Sequence, residues 1–117
     1  MMTRDEFDAF CGSLTAATNV VQWEGASVWK VGGKMFAIQM SEPGDWKISF
    51  KVSDLAFEIM PEQPGLIPAP YLQRAKWIRL DDHDAMTRPE LEQHLRDAHA
   101  IIAAKLSKKM QRELGLL

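Results

Sequence analysis

Two adjacent glycines place the strongest constraint on the fold of this chain. Gly32-Gly33 separates Ser27–Val31 from Lys34–Met40, and both flanks are rich in the aromatic and β-branched residues that strands favour. A two-residue hairpin turn of type I′ or II′ requires positive φ, which glycine adopts without strain. The pattern therefore predicts a β-hairpin in which Trp29 pairs with Phe36.

The predicted register extends to a third strand. Five residues lie between Met40 and Trp46, so these two can pair across a second turn that leads into Trp46–Lys51. Three strands then agree on one buried face and one open face. The predicted buried face carries Trp29, Val31, Phe36, Ile38, Met40, Trp46, Ile48 and Phe50, and the open face carries Val28, Lys30, Met35, Ala37, Gln39, Lys47, Ser49 and Lys51.

Capping boxes predict a helix near each end of the chain. Thr3-Arg4-Asp5-Glu6 opens a first helix that ends near Leu14–Thr15, and Thr87-Arg88-Pro89-Glu90 opens a long final one. The final helix carries one apolar stripe that runs from Leu91 to Leu106. Between these helices, the sequence predicts a short strand at Val20–Trp23 and a last strand at Lys76–Leu80. It also predicts a short helix that Ser53 caps, with Leu55, Ala56, Ile59 and Met60 facing inward. A loop over Pro61–Pro70 is expected to lead into a helical turn around Tyr71–Arg74.

This order predicts an α+β fold. The economical arrangement is a two-layer sandwich in which the N- and C-terminal helices cover the Trp29 face of an antiparallel sheet. A length of 117 residues favours one domain that spans residues 1–117.

Charge and cysteine content limit the functional classes. The chain has 14 basic and 16 acidic residues, so a basic surface must be a local patch. Cys11 is the only cysteine, which excludes an internal disulfide and a cysteine zinc site within one chain. The N-terminus lacks the apolar segment of a signal peptide, and no stretch is long and apolar enough for a membrane helix, so we expect a cytoplasmic protein.

Several segments resemble the MmcQ/YjbR family of bacterial proteins. They are Val28–Ala37, Ile48–Lys51, Pro64–Leu72, Trp77 and Leu106–Lys109. The resemblance spans Thr3 to Arg112 and implies a frataxin-like, or CyaY-like, fold and DNA binding through a "double wing" arrangement. The chain departs from the family pattern at Gln73–Trp77, where the usual Asn and His are absent, and at Ala98-His99, where the family has Ser-Tyr.

Basic side chains are the candidate DNA-binding residues. Three groups could contact phosphates: the open sheet face, the approach to the last strand, and the end of the final helix. The alternatives are an ordinary solvated sheet face and cations that suit a helix C-terminus. The candidates are Lys30, Lys47, Lys51, Arg74, Lys76, Lys105, Lys108, Lys109 and Arg112.

Other chemistry finds weaker support in the sequence. Exposed tryptophans could stack on bases, but the register predicts Trp29 and Trp46 in the core. Cys11 lies on the apolar stripe of the first helix, and Asp81–Asp84 has the composition of a solvated turn rather than of a metal site. No catalytic or phosphate-binding motif is present, so we expect no enzyme, no cofactor and no metal. The prediction is a non-catalytic DNA-binding protein, and the alternative is a protein-interaction or ligand-sensing module without a nucleic-acid role.

Overall fold

The computed structural model describes residues 2–42 and 45–117, with the side chains at 41, 42, 45 and 46 outside the description. Within these residues, six antiparallel strands form one open sheet: β1 (Ala17–Gln22), β2 (Ala26–Val31), β3 (Lys34–Glu42), β4 (Asp45–Lys51), β5 (Leu66–Pro68) and β6 (Trp77–Leu80), in the spatial order β1-β2-β3-β4-β6-β5. The same residues form the helices α1 (Arg4–Gly12), α2 (Asp54–Ile59), α3 (Arg88–Ala104) and α4 (Lys108–Glu113), with 3-10 turns at Met60–Glu62 and His83–Ala85.

The predicted two-layer α+β architecture is confirmed. Helix α1 contacts β1, β2 and β3, and α3 contacts β2, β3 and β4, so both helices cover one face of the sheet. We call this the inner face and the opposite side the outer face. The inner-face core includes Trp29, Val31, Phe36, Ile48 and Phe50, as the sequence predicted, together with Phe7 and Cys11 from α1 and Leu91, Leu95 and Ala98 from α3.

The glycine hairpin forms as predicted, but the strand pairing then shifts. Gly32 and Gly33 have φ of 58° and 81°, which defines a type I′ turn, and Val31 pairs with Lys34. A β-bulge follows: Lys30 pairs with Met35, whereas Trp29 pairs with Ala37. Phe36 is the extra residue of the bulge, so the predicted Trp29–Phe36 pair is wrong.

The bulge reverses the predicted sides of residues 37–40 in β3. Ile38 pairs with Val28, and Met40 pairs with Lys47 rather than with Trp46, so both lie on the outer face. Ala37 and Gln39 lie on the inner face instead of the open face predicted for them. The reason is the two-residue period of a strand, because one inserted residue exchanges its two sides. The predicted burial of Trp46 concerns a side chain outside the described residues.

Polar contacts attach α1 to the inner face of the sheet. Asp8 accepts hydrogen bonds from the Ser27 hydroxyl at 2.6 Å and from the Trp29 indole N–H at 2.9 Å. Arg4 donates from Nε to the buried Gln39 side chain at 2.6 Å and from Nη2 to the Gly25 carbonyl at 2.9 Å. These bonds satisfy polar groups that would otherwise be costly to bury.

The elements around the central strands differ from the sequence prediction in four places. The predicted long final helix ends at Ala104, and Ser107 caps the separate helix α4 by accepting from the Met110 N–H. Strand β5 lies where a loop was expected, and turns replace the predicted helix at Tyr71–Arg74. In α2, Leu55 and Ile59 are exposed, while Ala56, Phe57 and Met60 pack on the core.

We predict that the two turn glycines differ in their tolerance of alanine. Either substitution places an L-residue at positive φ, which costs about 1–2 kcal/mol. A Cβ on Gly32 would also lie 2.5 Å from Cδ1 of Leu106, whereas a Cβ on Gly33 meets nothing within 4 Å. Chemical denaturation should therefore show that Gly32→Ala lowers the free energy of unfolding more than Gly33→Ala. Equal losses of unfolding free energy in the two variants would contradict the close packing of Leu106, which precedes α4, against this turn.

A second prediction concerns Glu6, which joins the starts of α1 and α3. Its carboxylate accepts from the Thr3 backbone N–H at 3.0 Å and pairs with Arg88. The Thr3 backbone bond first and the Arg88 contact second lower the pKa of Glu6 from 4.5 to about 2. A lowered folded-state pKa contributes stability that is complete above about pH 4.5 and is lost as the pH falls toward about 2.

Glutamine at position 6 can still form the capping box but cannot titrate. The melting temperature of Glu6→Gln should therefore fall less steeply between about pH 4.5 and 2 than that of the unaltered protein. Glu113→Gln, at the exposed end of α4, serves as the control and should follow the unaltered profile. Parallel profiles for all three proteins would show that Glu6 does not contribute to acid stability.

Candidate nucleic-acid interface

The outer face of the sheet is only partly open to solvent. The chain between β5 and β6 folds across it, and Ala69 and Trp77 join Ala26, Val28 and Ile38 in a second buried cluster. Trp77 is 3% exposed, so it belongs to this core and cannot offer a stacking surface. Two concavities adjoin this cluster: Trp77 lines one of them, and Ile38 lines the other.

The first concavity, which we call the basic cleft, collects four of the predicted cations. It has a volume of about 400 Å³ and contains Lys51 from β4, Arg74 and Lys76 from the turn before β6, and Lys105 from the end of α3. Its other lining residues are Met35, Asp54, Leu72, Ala75, Trp77 and Ile102. The cleft therefore joins residues that the sequence analysis assigned to three separate groups.

Lys51 is the most buried cation of the basic cleft. The residue is 7% exposed, and its amine donates a hydrogen bond to the carbonyl oxygen of Ala75. Burial lowers the pKa of Lys51, and the nearby charges of Lys105 and Lys76 lower it further, while Asp54 opposes them. A desolvated ammonium group beside like charges has unfavourable energy, and a bound anion would relieve it.

The turn that carries Arg74 and Lys76 is fixed to the sheet. Lys76 adopts a φ of 62° and closes the turn through a 3.0 Å backbone bond to the Gln73 carbonyl. Its own carbonyl accepts from the Val52 N–H at 3.0 Å, and its amine lies 5.0 Å from the centre of the Phe57 ring. The exposed Arg74 is thus held on a defined backbone.

The remaining predicted cations do not line the basic cleft. Lys47 lies further along β4, where it donates to the Asp81 carbonyl at 2.9 Å and approaches the Asp81 carboxylate at 3.6 Å. Lys30 is half-buried on β2. The other three cations are exposed on α4: Lys108, Lys109 and Arg112. The sequence predicted that they lie in the last turns of the long final helix, but Lys108 and Lys109 begin the separate helix α4.

The second concavity, which we call the apolar groove, was not predicted from the sequence. It has a volume of about 410 Å³ and is lined by Trp23, Ile38, Met40, Ser49, Pro70, Tyr71, Leu72 and Arg79. Ile38 and Met40 reach it because the bulge turns them outward. The sequence signal that could have revealed it is the pair of turn residues Trp23 and Tyr71, which are too large and apolar for ordinary solvated turns.

The reactive residue types have structural roles. Cys11 is buried in the core, and burial raises the pKa of its thiol. On α3, His94 stacks on Phe50, and His99 meets the Phe36 ring edge-on. Throughout residues 2–42 and 45–117, no group of three His, Cys, Asp or Glu side chains is arranged to hold a metal ion. No helix in this part of the chain combines the length and apolar character that a membrane crossing requires.

Comparison with solved structures finds proteins of the same architecture. The crystal structure of the Deinococcus radiodurans protein DR2400, a DUF419 protein, superimposes with a TM-score of 0.87 at 22% identity, covering 100% of this chain and 91% of that one. A Pseudomonas syringae protein of known structure has a TM-score of 0.72 at 18% identity, covering 86% of this chain and 99% of that one. At sequence identities of 22% and 18%, this structural similarity establishes the fold of the chain.

A family model then identifies the relationship in sequence. The YjbR family model matches residues 12–101, so the chain belongs to the YjbR family, and the resemblance stated above is confirmed. A search of curated proteins gives no significant match.

Proposed function

We propose that this protein is a non-catalytic DNA-binding protein that holds backbone phosphate in the basic cleft. One observation carries the proposal. Four cationic side chains from three separate parts of the chain converge on a single cleft, although the net charge of the protein is −2. A local concentration of positive charge in a slightly acidic protein indicates a specific anionic partner rather than general solubility.

The chemistry of the basic cleft suits a phosphate diester. Arg74 offers a planar guanidinium that can donate two parallel bonds to phosphate oxygens. Lys105 and Lys76 supply point charges from two different elements, the end of α3 and the turn before β6. A phosphate between them would also lower the repulsion that Lys51 experiences, so binding and the burial of Lys51 support each other.

Helix α4 could extend this contact beyond the cleft. Its first two residues, Lys108 and Lys109, are exposed and follow Lys105 by three and four positions. Successive phosphates along a DNA backbone could therefore meet first the cleft and then α4. Such contacts position a protein on DNA but carry no sequence information, so we expect weak and largely sequence-independent binding.

The second candidate function is a ligand-sensing or protein-interaction module. The observation in its favour is the apolar groove, where Tyr71 is fully exposed and Trp23 is 52% exposed. Large exposed apolar residues that share one concavity often mark a binding site. This function needs no contribution from Arg74 or Lys105, which makes the two candidates separable by substitution.

We predict salt-dependent binding of duplex DNA that depends on the cleft. With about four phosphate contacts, log K should fall against log salt with a slope of about −3.6. The double substitution Arg74→Ala with Lys105→Ala removes two contacts from exposed positions and should reduce the slope by about 1.8. Fluorescence anisotropy titrations from about 50 mM salt upward measure both quantities.

Two further double variants control for the loss of charge. Lys108→Ala with Lys109→Ala tests α4 and should have a smaller effect than the cleft double variant. Arg88→Ala with Arg96→Ala removes the same charge from exposed positions on α3, the first about 25 Å along the helix from Lys105, and should leave binding unchanged. If the cleft variant binds DNA as the unaltered protein does, or if no binding occurs at about 50 mM salt, the DNA hypothesis fails and the second candidate is favoured.

A further inference from the structure

The apolar groove and the basic cleft adjoin each other along strands β4 and β6. Ser49 pairs with Arg79 on the floor of the groove, and the next outward-facing pair, Lys51 with Trp77, forms the floor of the cleft. Consecutive outward positions along a strand are about 7 Å apart. Leu72 lines both concavities, so one segment of chain forms the wall between them.

Two aromatic side chains give the groove an exposed planar surface. Tyr71 is fully exposed, and Trp23 is 52% exposed. Their backbones have φ of 66° and 48°, a left-handed conformation that costs an L-residue about 1–2 kcal/mol. Trp23 lies in the three-residue turn between β1 and β2, where Glu24 and Gly25 also have positive φ. This turn and the turn at Tyr71 each place an aromatic ring at the groove.

Arg79 adds a polar group to the floor of the groove. Its Nη2 donates to the Asp81 carboxylate at 2.8 Å, and Lys47 shares the same carboxylate at 3.6 Å. The Arg79 Nε is buried and has no hydrogen-bond acceptor among the described residues. Two cations therefore meet one carboxylate beside the groove.

We propose that the apolar groove binds one unpaired base of single-stranded DNA while the adjoining phosphate occupies the basic cleft. This inference rests on the proposed function, and it specifies single-stranded DNA as the form of DNA that is bound. The spacing of the two floors, about 7 Å, is of the order of the distance from a phosphate to the base of the same nucleotide. Aromatic stacking beside a cationic track is how proteins bind single strands without sequence preference.

A base fits this pair of concavities better than an apolar peptide does. A peptide side chain could fill the groove, but it would not bring a negative charge to the cleft at a fixed separation. Each nucleotide carries one base and one phosphate, so it matches the aromatic rings and the four cations together.

The experiment compares three oligonucleotides of equal length: a thymidine oligomer, its abasic analogue and a duplex. Tyr71→Ala should weaken binding of the thymidine oligomer by roughly 5- to 150-fold, the usual effect of losing one base–aromatic stack. The same variant should leave binding of the abasic oligomer and the duplex unchanged. Leu55→Ala, which removes an exposed apolar side chain from α2, is the matched control and should not affect any of the three.

A spectroscopic measurement tests stacking independently of affinity. Trp29 and Trp77 are buried, whereas Trp23 is exposed in the groove. The thymidine oligomer should therefore quench tryptophan fluorescence, and Trp23→Phe should reduce this quenching while retaining a ring at the site. Undiminished quenching in Trp23→Phe would show that the base stacks elsewhere.

The outcomes separate this inference from the proposed function. Equal affinity for the thymidine oligomer and its abasic analogue would overturn the base site. If the double variant Arg74→Ala with Lys105→Ala still bound both of these oligomers more weakly than the unaltered protein does, DNA binding through the cleft would stand. Failure of all three oligonucleotides to bind at about 50 mM salt would overturn both proposals together. Displacement of the thymidine oligomer by an uncharged apolar peptide, with the abasic oligomer still bound, would assign the groove to a protein partner instead.

Discussion

The rest of the structure depends on the β-bulge between β2 and β3. One extra residue at Phe36 lets both Phe36 and Ala37 face the helices, which concentrates packing beneath α3. The same residue turns Ile38 and Met40 to the outer face and Gln39 to the inner face. Without the bulge, the groove would lose two of its apolar lining residues and the inner face would lose its polar anchor. A single irregularity in one strand pair thus defines both surfaces.

The burial of Gln39 explains why α1 carries the polar residues it does. An amide on the helix-covered face requires hydrogen-bond partners, and the Arg4 side chain supplies one at 2.6 Å. Asp8 similarly satisfies the Trp29 indole. These side chains hold α1 in a fixed position on the sheet, and they are consequently engaged in structure rather than available to a ligand.

The sequence predicted the local features well because each has a local physical cause. Glycines at positive φ defined the hairpin, and hydroxyl and carboxylate spacing defined both capping boxes. The bulge has no such signal, since Trp29, Phe36 and Ala37 are ordinary strand residues whose positions depend on helix packing. The end of α3 was missed for a similar reason: Leu106 continues the apolar stripe, although the helix stops at Ala104 and Leu106 packs against the Gly32 turn.

The candidate site was predicted only in its residue types. Charge along the chain singled out Lys51, Arg74, Lys76 and Lys105, but their convergence requires tertiary contacts between β4, the turn before β6 and α3. Lys47 had the same sequence signal as Lys51, yet it bonds to Asp81 at the other end of its strand. Alternation gave both lysines the same face of the sheet, and the register of β4 against β6 then decided their different neighbours.

The turn before β6 borders both concavities. The Lys51 amine holds the Ala75 carbonyl, and the Val52 N–H holds the carbonyl of Lys76. The same stretch of chain places Leu72 between the cleft and the groove and carries Tyr71 at its exposed end. An anion that attracts the Lys51 amine would compete with the Ala75 carbonyl for it, so charge in the cleft acts on the segment that positions the aromatic ring. The residues that carry the cations of the cleft and the aromatic ring of the groove thus belong to one short segment that is bonded to the end of β4.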